Sequence, residues 1–130
     1  MEHSIAIHIH ARSKRLQDVL GLRLEKLPGV DVRRFGEGAV AVGELQPVMN
    51  GAGPLPTVII APSSDLSVAE CVQATRQGLR VIVLAPVFRE HERTAYLQAG
   101  ADAYLMMAID NRELSERLLA IAQGGEEQTG

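Results

Sequence analysis

Two histidines near the start of the chain, His8 and His10, have the residue type and the spacing that could bind a metal ion. Residues two apart on a β-strand lie on the same face, so a strand here would place both imidazoles side by side. Zinc sites need three or four ligands in closed geometry, and neither a cysteine pair nor a nearby carboxylate completes such a set. We therefore expect no metal site. A pH sensor built on buried histidines is an alternative use of the pair.

Arg12 and Ser13 directly follow this strand and are candidates for binding a small molecule. A loop that leads into a helix amino end can bind a phosphate or a carboxylate through side chains and backbone N–H groups. The loop lacks the serine/threonine–glycine pattern of flavin sites, and no run in the chain resembles a P-loop. Arg12 and Ser13 are therefore a secondary candidate for a small-molecule site, and no cofactor is expected.

Cys71 and Asp65 are two further side chains with reactive groups. Cys71 is the single cysteine, and it falls within a predicted apolar helix, which indicates a small buried hydrophobe rather than a reactive thiol. Asp65 lies four residues beyond the end of a predicted buried strand, so we expect it to lie in a loop or in the first turn of a helix and to point away from the ligand cleft. No catalytic residue is predicted.

The composition is that of one ordinary globular domain, with 130 residues of which 46% are hydrophobic and 22% charged. The formal net charge of −3 gives no broad attraction for a polyanion, so we expect no direct binding to nucleic acid. No signal-peptide pattern and no apolar run of roughly 18 residues is present, which predicts a cytoplasmic protein without membrane contact. We assign residues 1–123 to the domain and 124–130 to a flexible tail or the start of a linker.

Periodicity predicts five strands alternating with about five helices. Short β-branched runs predict strands at residues 4–9, 30–35, 57–61, 79–84 and 103–107. Amphipathic patterns predict helices at residues 14–27, 67–77, 88–99 and from 110 onward, and 39–48 could add a short one. Amino-terminal caps are expected at Ser13, at Ser67 with Glu70, and at Asp110 with Glu113.

Strict alternation of strand and helix with short connections predicts a parallel sheet with helices on both faces. We therefore assign the chain to the α/β class, as a flavodoxin-like doubly wound fold with strand order 2-1-3-4-5. Ligands of such sheets bind beyond the carboxyl ends of the strands, near the first and third strands, where the order reverses. Functional residues are expected at that edge.

The second half of the chain carries the motifs of a known family. They are the buried run Val81-Ile82-Val83-Leu84-Ala85-Pro86, the stretch Glu92-Arg93-Thr94-Ala95-Tyr96-Leu97-Gln98-Ala99-Gly100-Ala101-Asp102-Ala103-Tyr104-Leu105, and the pair Glu113-Leu114. In these motifs the chain resembles the receiver (CheY-like) domain of bacterial two-component response regulators. The first half matches the family by pattern more than by identity, as in the helix end Leu27-Pro28-Gly29-Val30.

The resemblance implies a set of phosphorylation residues that this chain lacks. Receiver domains are phosphorylated on an aspartate at the end of the third strand. The corresponding residue of this chain is Ala61. They hold Mg²⁺ with acidic residues just after the first strand, whereas this chain has no Asp or Glu between Glu2 and Asp18. The metal-binding positions of the family fall among His10, Ala11 and Arg12 of this chain. The two positions that sense phosphate in the family correspond to Ala85 and Met107.

The resemblance also implies a surface for protein partners, formed by the fourth helix, fifth strand and fifth helix. Phe88, Ala95 and Ala99 recur on one face of the predicted fourth helix and should be buried. This spacing turns Leu97 toward solvent, with Arg93 one turn earlier on the same stripe. An apolar and aromatic patch with an arginine is typical of docking sites. The residues expected to contact a protein partner or a second copy are Arg93, Leu97, Tyr104 and Met106.

The predicted function is therefore regulatory. We expect a phosphorylation-independent pseudo-receiver that acts by protein contact, dimerisation included, in bacterial signal transduction or transcription control, and we expect no enzyme activity. Two alternatives stay open. One is a small-molecule sensor that uses the emptied cleft near Arg12 and Ser13, and the other is an unconventional receiver that is phosphorylated at Asp65.

Overall fold

The computed structural model describes residues 4–27, 31–38, 40–50 and 53–123. Within them a central parallel sheet is formed by β1 (Ser4–Ile9), β2 (Asp31–Glu37), β3 (Thr57–Pro62), β4 (Arg80–Ala85) and β5 (Ala103–Met106). The order across the sheet is β2-β1-β3-β4-β5. The order reverses between β1 and β3, which makes the fold a doubly wound α/β fold and confirms the predicted class.

Helices cover both faces of this sheet. In the described ranges they are α1 (Lys14–Glu25), α2 (Val68–Arg76), α3 (Glu90–Gln98) and α4 (Asn111–Ala122). The predicted caps are confirmed: Ser13 accepts from the Leu16 N–H, Ser67 and Glu70 form a reciprocal capping box, and Asp110 accepts from the Glu113 N–H. None of the described helices has the length and apolar character needed to cross a bilayer.

The prediction of about five helices is wrong for the described residues, because 40–48 contain a single 3-10 turn at Val42–Glu44. Gly43 disfavours a helix there, and the side chain of Gln77, the C-cap of α2, donates to the carbonyl oxygens of Val42 and Leu45, at 3.1 and 2.7 Å. An α-helix would pair these two carbonyl groups with its own N–H groups, but here they accept from the Gln77 side chain. A short antiparallel pair, Met49–Asn50 with Gly53–Pro54, follows.

The core has two layers, one on each face of the sheet. On one face α1 and α4 pack against Ile5, Ile7, Ile9 and the matching residues of β3, β4 and β5. On the other, α2, α3 and Val42 pack against Ile59, Ala61, Val81, Val83 and Tyr104. Strands buried on both faces explain the continuous apolar runs of β3 and β4.

Candidate functional site

The carboxyl ends of the strands meet at one edge of the sheet, where four of the predicted positions come together. The His10 N–H donates to the Ile60 carbonyl at 2.8 Å, which extends β1 alongside β3. Ala61 and Ala85 lie near the ends of β3 and β4. The Met107 N–H donates to the Ala85 carbonyl at 2.8 Å, which continues β5 beside β4. This edge is the ligand edge of a doubly wound sheet.

The side chains at the ends of the central strands offer few groups that could react or bind a ligand. Ala11, Ala61 and Ala85 are fully buried and present only methyl groups. Within the described ranges, no three His, Cys, Asp or Glu side chains lie close enough together to hold a metal ion. The residues that end β1, β3, β4 and β5 therefore include no carboxylate, and the polar groups beside these ends come from His10, Arg12 and the loop that follows β3.

His10 is the buried polar residue of this edge, with 4% of its surface exposed. Burial lowers the pKa of its imidazole, and the nearby carboxylates of Glu70 and Asp65 only partly oppose that effect. Its Nδ1 is buried and has no hydrogen-bond partner. His8, whose ring centroid lies 6.5 Å away, bonds through Nε2 to the Gly38 carbonyl at 2.9 Å. His10 is therefore held as a neutral side chain.

Asp65 lies at this edge, so the prediction that it points away from the cleft is wrong. The chain turns after β3, with the Asp65 N–H donating to the Pro62 carbonyl at 2.9 Å. This turn folds the carboxylate back over the end of β1, where Oδ2 accepts from the Arg12 N–H at 3.0 Å. The Ser64 hydroxyl lies 3.4 Å from Oδ1. Both carboxylate oxygens therefore have partners.

Arg12 and Ser13 differ in what they can offer a ligand. The Arg12 side chain is exposed at the end of β1. The Ser13 hydroxyl accepts from the Leu16 N–H at 3.2 Å and so caps α1. A ligand that used this hydroxyl as an acceptor would compete with the helix cap. The small-molecule site around these residues stays a prediction.

A second region with site character is an open groove beside β5. It has a volume of about 430 Å³ and a mainly apolar lining, formed by Phe88, Tyr104, Leu105, Met106, Ala108, Ile109 and Glu113. Phe88 and Met106 are 42% and 54% exposed. Large apolar side chains exposed together around a groove mark an interaction surface more often than isolated ones do.

The four residues predicted to contact a partner differ in how exposed their side chains are. Met106 is exposed, and so is Arg93, which pairs with Glu90 at 3.3 Å. Leu97 is half-buried rather than turned fully to solvent. Tyr104 lines the groove but is only 4% exposed, so it is buried and not exposed as predicted. The Phe88 ring packs edge-on against Tyr104, with centroids 5.2 Å apart, and the Tyr104 hydroxyl donates to the Glu92 carboxylate.

The prediction of the buried face of α3 is wrong at Phe88, which lies before α3 begins and is exposed. Ala99 is partly buried against the core, but the buried side chain within α3 is that of Tyr96, which is 4% exposed. The Tyr96 ring stacks on Tyr104, with centroids 5.9 Å apart. Its hydroxyl lies 3.2 Å from the Ser63 carbonyl and donates to that of Leu66, and burial raises its pKa to about 12. The aromatic pair thus joins the groove region to the loop after β3.

Sequence reasoning missed one further residue, Arg23 of α1. Its guanidinium bonds to Met107 and Ile109 in the loop between β5 and α4, and to Asn111, the first residue of α4. A signal was present, because Arg23 lies three residues after Leu20 and one before Leu24, both of which belong to the buried face of α1. A long cationic side chain beside such a face can reach polar backbone on a neighbouring element.

Comparisons with known proteins bear on the fold. No protein-family model matches the sequence, and no curated protein matches it either. Solved structures do match. A response regulator receiver protein from Pseudoalteromonas atlantica is 16% identical with a TM-score of 0.67, and the alignment covers 92% of this chain and 98% of that one.

Two further structures match with similar coverage. A DNA-binding response regulator of the LuxR family from Staphylococcus aureus is 12% identical with a TM-score of 0.65, over 91% of this chain and 98% of its own. The BeF3-activated receiver domain of DrrB is 18% identical with a TM-score of 0.62, over 95% and 99%. At these identities the likeness establishes the fold alone, and this chain therefore has the fold of the response-regulator receiver domain.

Proposed function

We propose that this protein is a receiver-type regulatory domain that works without phosphorylation, by contact with a protein partner or with a second copy of itself. The observation that carries this proposal is the chemistry of the sheet's carboxyl edge, where Ala61 and Ala85 stand near the ends of β3 and β4. A methyl group cannot accept a phosphoryl group. The chain between Glu2 and Asp18 supplies no carboxylate for Mg²⁺ at the end of β1.

The likeness to solved receiver domains supports a role in bacterial signal transduction or transcription control. One of the matching proteins is itself a DNA-binding response regulator. The net charge of −3 gives this chain no broad attraction for DNA. We therefore propose that it acts on a protein rather than on nucleic acid, and that it does so in the cytoplasm.

The proposed contact surface is the groove beside β5, with the exposed part of α3 at its side. Met106 and Phe88 supply exposed apolar area next to the carboxylate of Glu113. Arg93 and Leu97 of α3 extend the surface as predicted contacts. An apolar centre with charged groups around it is the usual composition of a protein interface.

The first test is exposure of the purified protein to acetyl phosphate or phosphoramidate with Mg²⁺, followed by intact-mass measurement. We expect no phosphoryl adduct under conditions that fully modify an active receiver run in parallel. An adduct that disappears in the Asp65→Asn variant would instead establish the alternative of an unconventional receiver. That alternative has one observation in its favour, the position of the Asp65 carboxylate at the end of β1.

The second test compares two methionines that are both exposed, Met106 in the groove and Met49 on the short antiparallel pair. Affinity capture and sedimentation are run on the wild type, Met106→Glu and Met49→Glu. We expect Met106→Glu to lose specific partners or self-association, because a buried unpaired carboxylate opposes docking. Met49→Glu should behave as the wild type. Equal behaviour of all three proteins would count against the groove.

A further inference from the structure

Arg23 lies in the last turn of α1 and reaches both the β5–α4 loop, residues 107–110, and Asn111, the first residue of α4. Its Nε donates to Asn111 Oδ1 at 2.8 Å, its Nη1 donates to the Met107 carbonyl oxygen at 3.1 Å, and its Nη2 donates to the Ile109 carbonyl oxygen. The three guanidinium nitrogens thus bond to three different residues, two in the loop and one at the start of α4. The planar fork of arginine fixes all three directions at once.

The loop held by Arg23 is also part of the groove lining. Ala108 and Ile109 line the groove directly, and Met106 lies just before them. The loop is tied to the sheet at one further point, since the Met107 N–H donates to the Ala85 carbonyl at 2.8 Å. The Ile109 N–H closes a tight turn on the Met106 carbonyl at 3.0 Å. The position of the lining therefore depends on bonds to β4 and to α1.

The side chains within the loop do not replace the contribution of Arg23. Met107, Ala108 and Ile109 are apolar and supply neither a donor nor a charge, and the Asp110 carboxylate caps α4 by accepting from the Glu113 N–H. The carbonyl groups of Met107 and Ile109 accept hydrogen bonds from a charged donor, which are stronger than bonds between neutral groups. These contacts are partly buried, so water screens them less than it would at an open surface.

We propose that Arg23 is the positioning residue of the groove. Through its three bonds it holds the β5–α4 loop, and so the Ala108 and Ile109 side of the groove, in a single conformation. The conformation of the surface proposed for partners then depends on the Arg23 contact within the chain and does not depend on phosphorylation. The importance of the groove rests on the proposed function, but the Arg23 contact can be tested without any partner.

The test is residue-resolved amide hydrogen exchange on the wild type, Arg23→Gln and Arg23→Lys. Arg76→Gln is the matched control, because Arg76 also lies in the last turn of a helix and is exposed. In Arg23→Gln we expect the Met107 and Ile109 amides to exchange at least about tenfold faster relative to the amides of β3. Arg23→Lys should show most of this acceleration, since an ammonium cannot reproduce the fork.

Methyl NMR of Met106 and Ile109 provides the second readout. We expect their signals to move in Arg23→Gln and to stay in place in Arg76→Gln. If Arg23→Gln does not fold, Asn111→Ala removes one of the three bonds and should give a smaller effect of the same kind. Uniform acceleration across β3 and the loop, or unmoved methyl signals, would overturn the proposal.

The Arg23 proposal and the proposed function can fail separately. Hydrogen exchange and methyl shifts judge the Arg23 contact in the isolated protein. The comparison of Met106→Glu with Met49→Glu judges the groove as a docking surface. A loop that loosens in Arg23→Gln together with unchanged behaviour of Met106→Glu would support the contact and remove the groove from the proposed function.

Discussion

His10 is held at the carboxyl edge of the sheet as a neutral imidazole. Burial accounts for most of the depression of its pKa, and the charge of His8 adds to it, while Glu70 and Asp65 act in the opposite direction. A protonated ring carries an N–H on both nitrogens, and Nδ1 is buried and has no acceptor. Protonation of His10 therefore destabilises the folded state.

We predict that the protein becomes less stable as the pH falls below about 7. The folded-state pKa of His10 lies below its ordinary value of 6.5, so the unfolded chain takes up the proton first as the pH passes through that value. Denaturant unfolding at pH 7.5 and pH 5 should show a smaller loss of stability for His10→Gln than for the wild type.

His91 is the control, because it is exposed on α3. The variant His91→Gln should keep the pH dependence of the wild type. A His10→Gln protein that loses as much stability between pH 7.5 and pH 5 as the wild type would show that His10 is not the group responsible.

Cys71 is a buried thiol whose reactivity we predict to be low. It is fully buried, and burial raises its pKa from 9.0 to about 11. A shift of that size lowers the thiolate fraction at pH 8 about a hundredfold. Iodoacetamide should therefore modify the native protein at least about a hundred times more slowly than the protein in denaturant. Similar rates in the two states would contradict the buried placement.

At the residue scale, sequence alone predicted the caps and the burial of Cys71, because both depend on neighbours close in the chain. It failed for Asp65, whose direction is set by a turn against β1, 53 residues away in sequence. It failed for Tyr104 because burial of this side chain depends on Phe88 and Tyr96, which come from outside its strand. Arg23 was missed for the same kind of reason.

At the element scale, a wrongly predicted start of α3 led to a wrong prediction of which helix face is buried. The helix was predicted from residue 88, but it begins at Glu90, so Phe88 lies outside the helical period. The spacing of Phe88, Ala95 and Ala99 therefore does not define one face of a helix. The buried side chain of α3 is Tyr96, whose hydroxyl bonds to the loop after β3.

We predict that the end of α3 depends on Gly100. Its φ is +106°, and a Cβ at this position would lie 2.8 Å from Thr75 Cγ2 of α2. Gly100→Ala should therefore lower the free energy of unfolding by about 1–3 kcal/mol, through backbone strain and the contact with α2. Urea unfolding measures this change.

Gly53→Ala is the matched control, because a Cβ there would have no neighbour within 4 Å. We expect that variant to lie within about 0.5 kcal/mol of the wild type. A Gly100→Ala protein as stable as Gly53→Ala would mean that the α3 terminus does not approach Thr75 as closely as described.

At the scale of the whole molecule, the alternation of apolar strands and capped helices was enough to predict the α/β class and the order of strands in the sheet. The groove beside β5 was only partly foreseen. Met106 was expected in it, but the contributions of Ala108, Ile109 and Glu113 depend on how the β5–α4 loop packs against α1 and α4. Such packing joins residues more than 80 positions apart, and local periodicity carries no information about it.

The central claim is that the carboxyl edge of this sheet binds neither Mg²⁺ nor a phosphoryl group. Titration of ¹⁵N-labelled protein with Mg²⁺ and beryllofluoride, a phosphoryl mimic, tests it most directly. We predict that the backbone signals of His10, Ala61, Asp65 and Ala85 do not move. Saturable shifts of these signals that require both Mg²⁺ and beryllofluoride, and that vanish in Asp65→Asn, would contradict the claim.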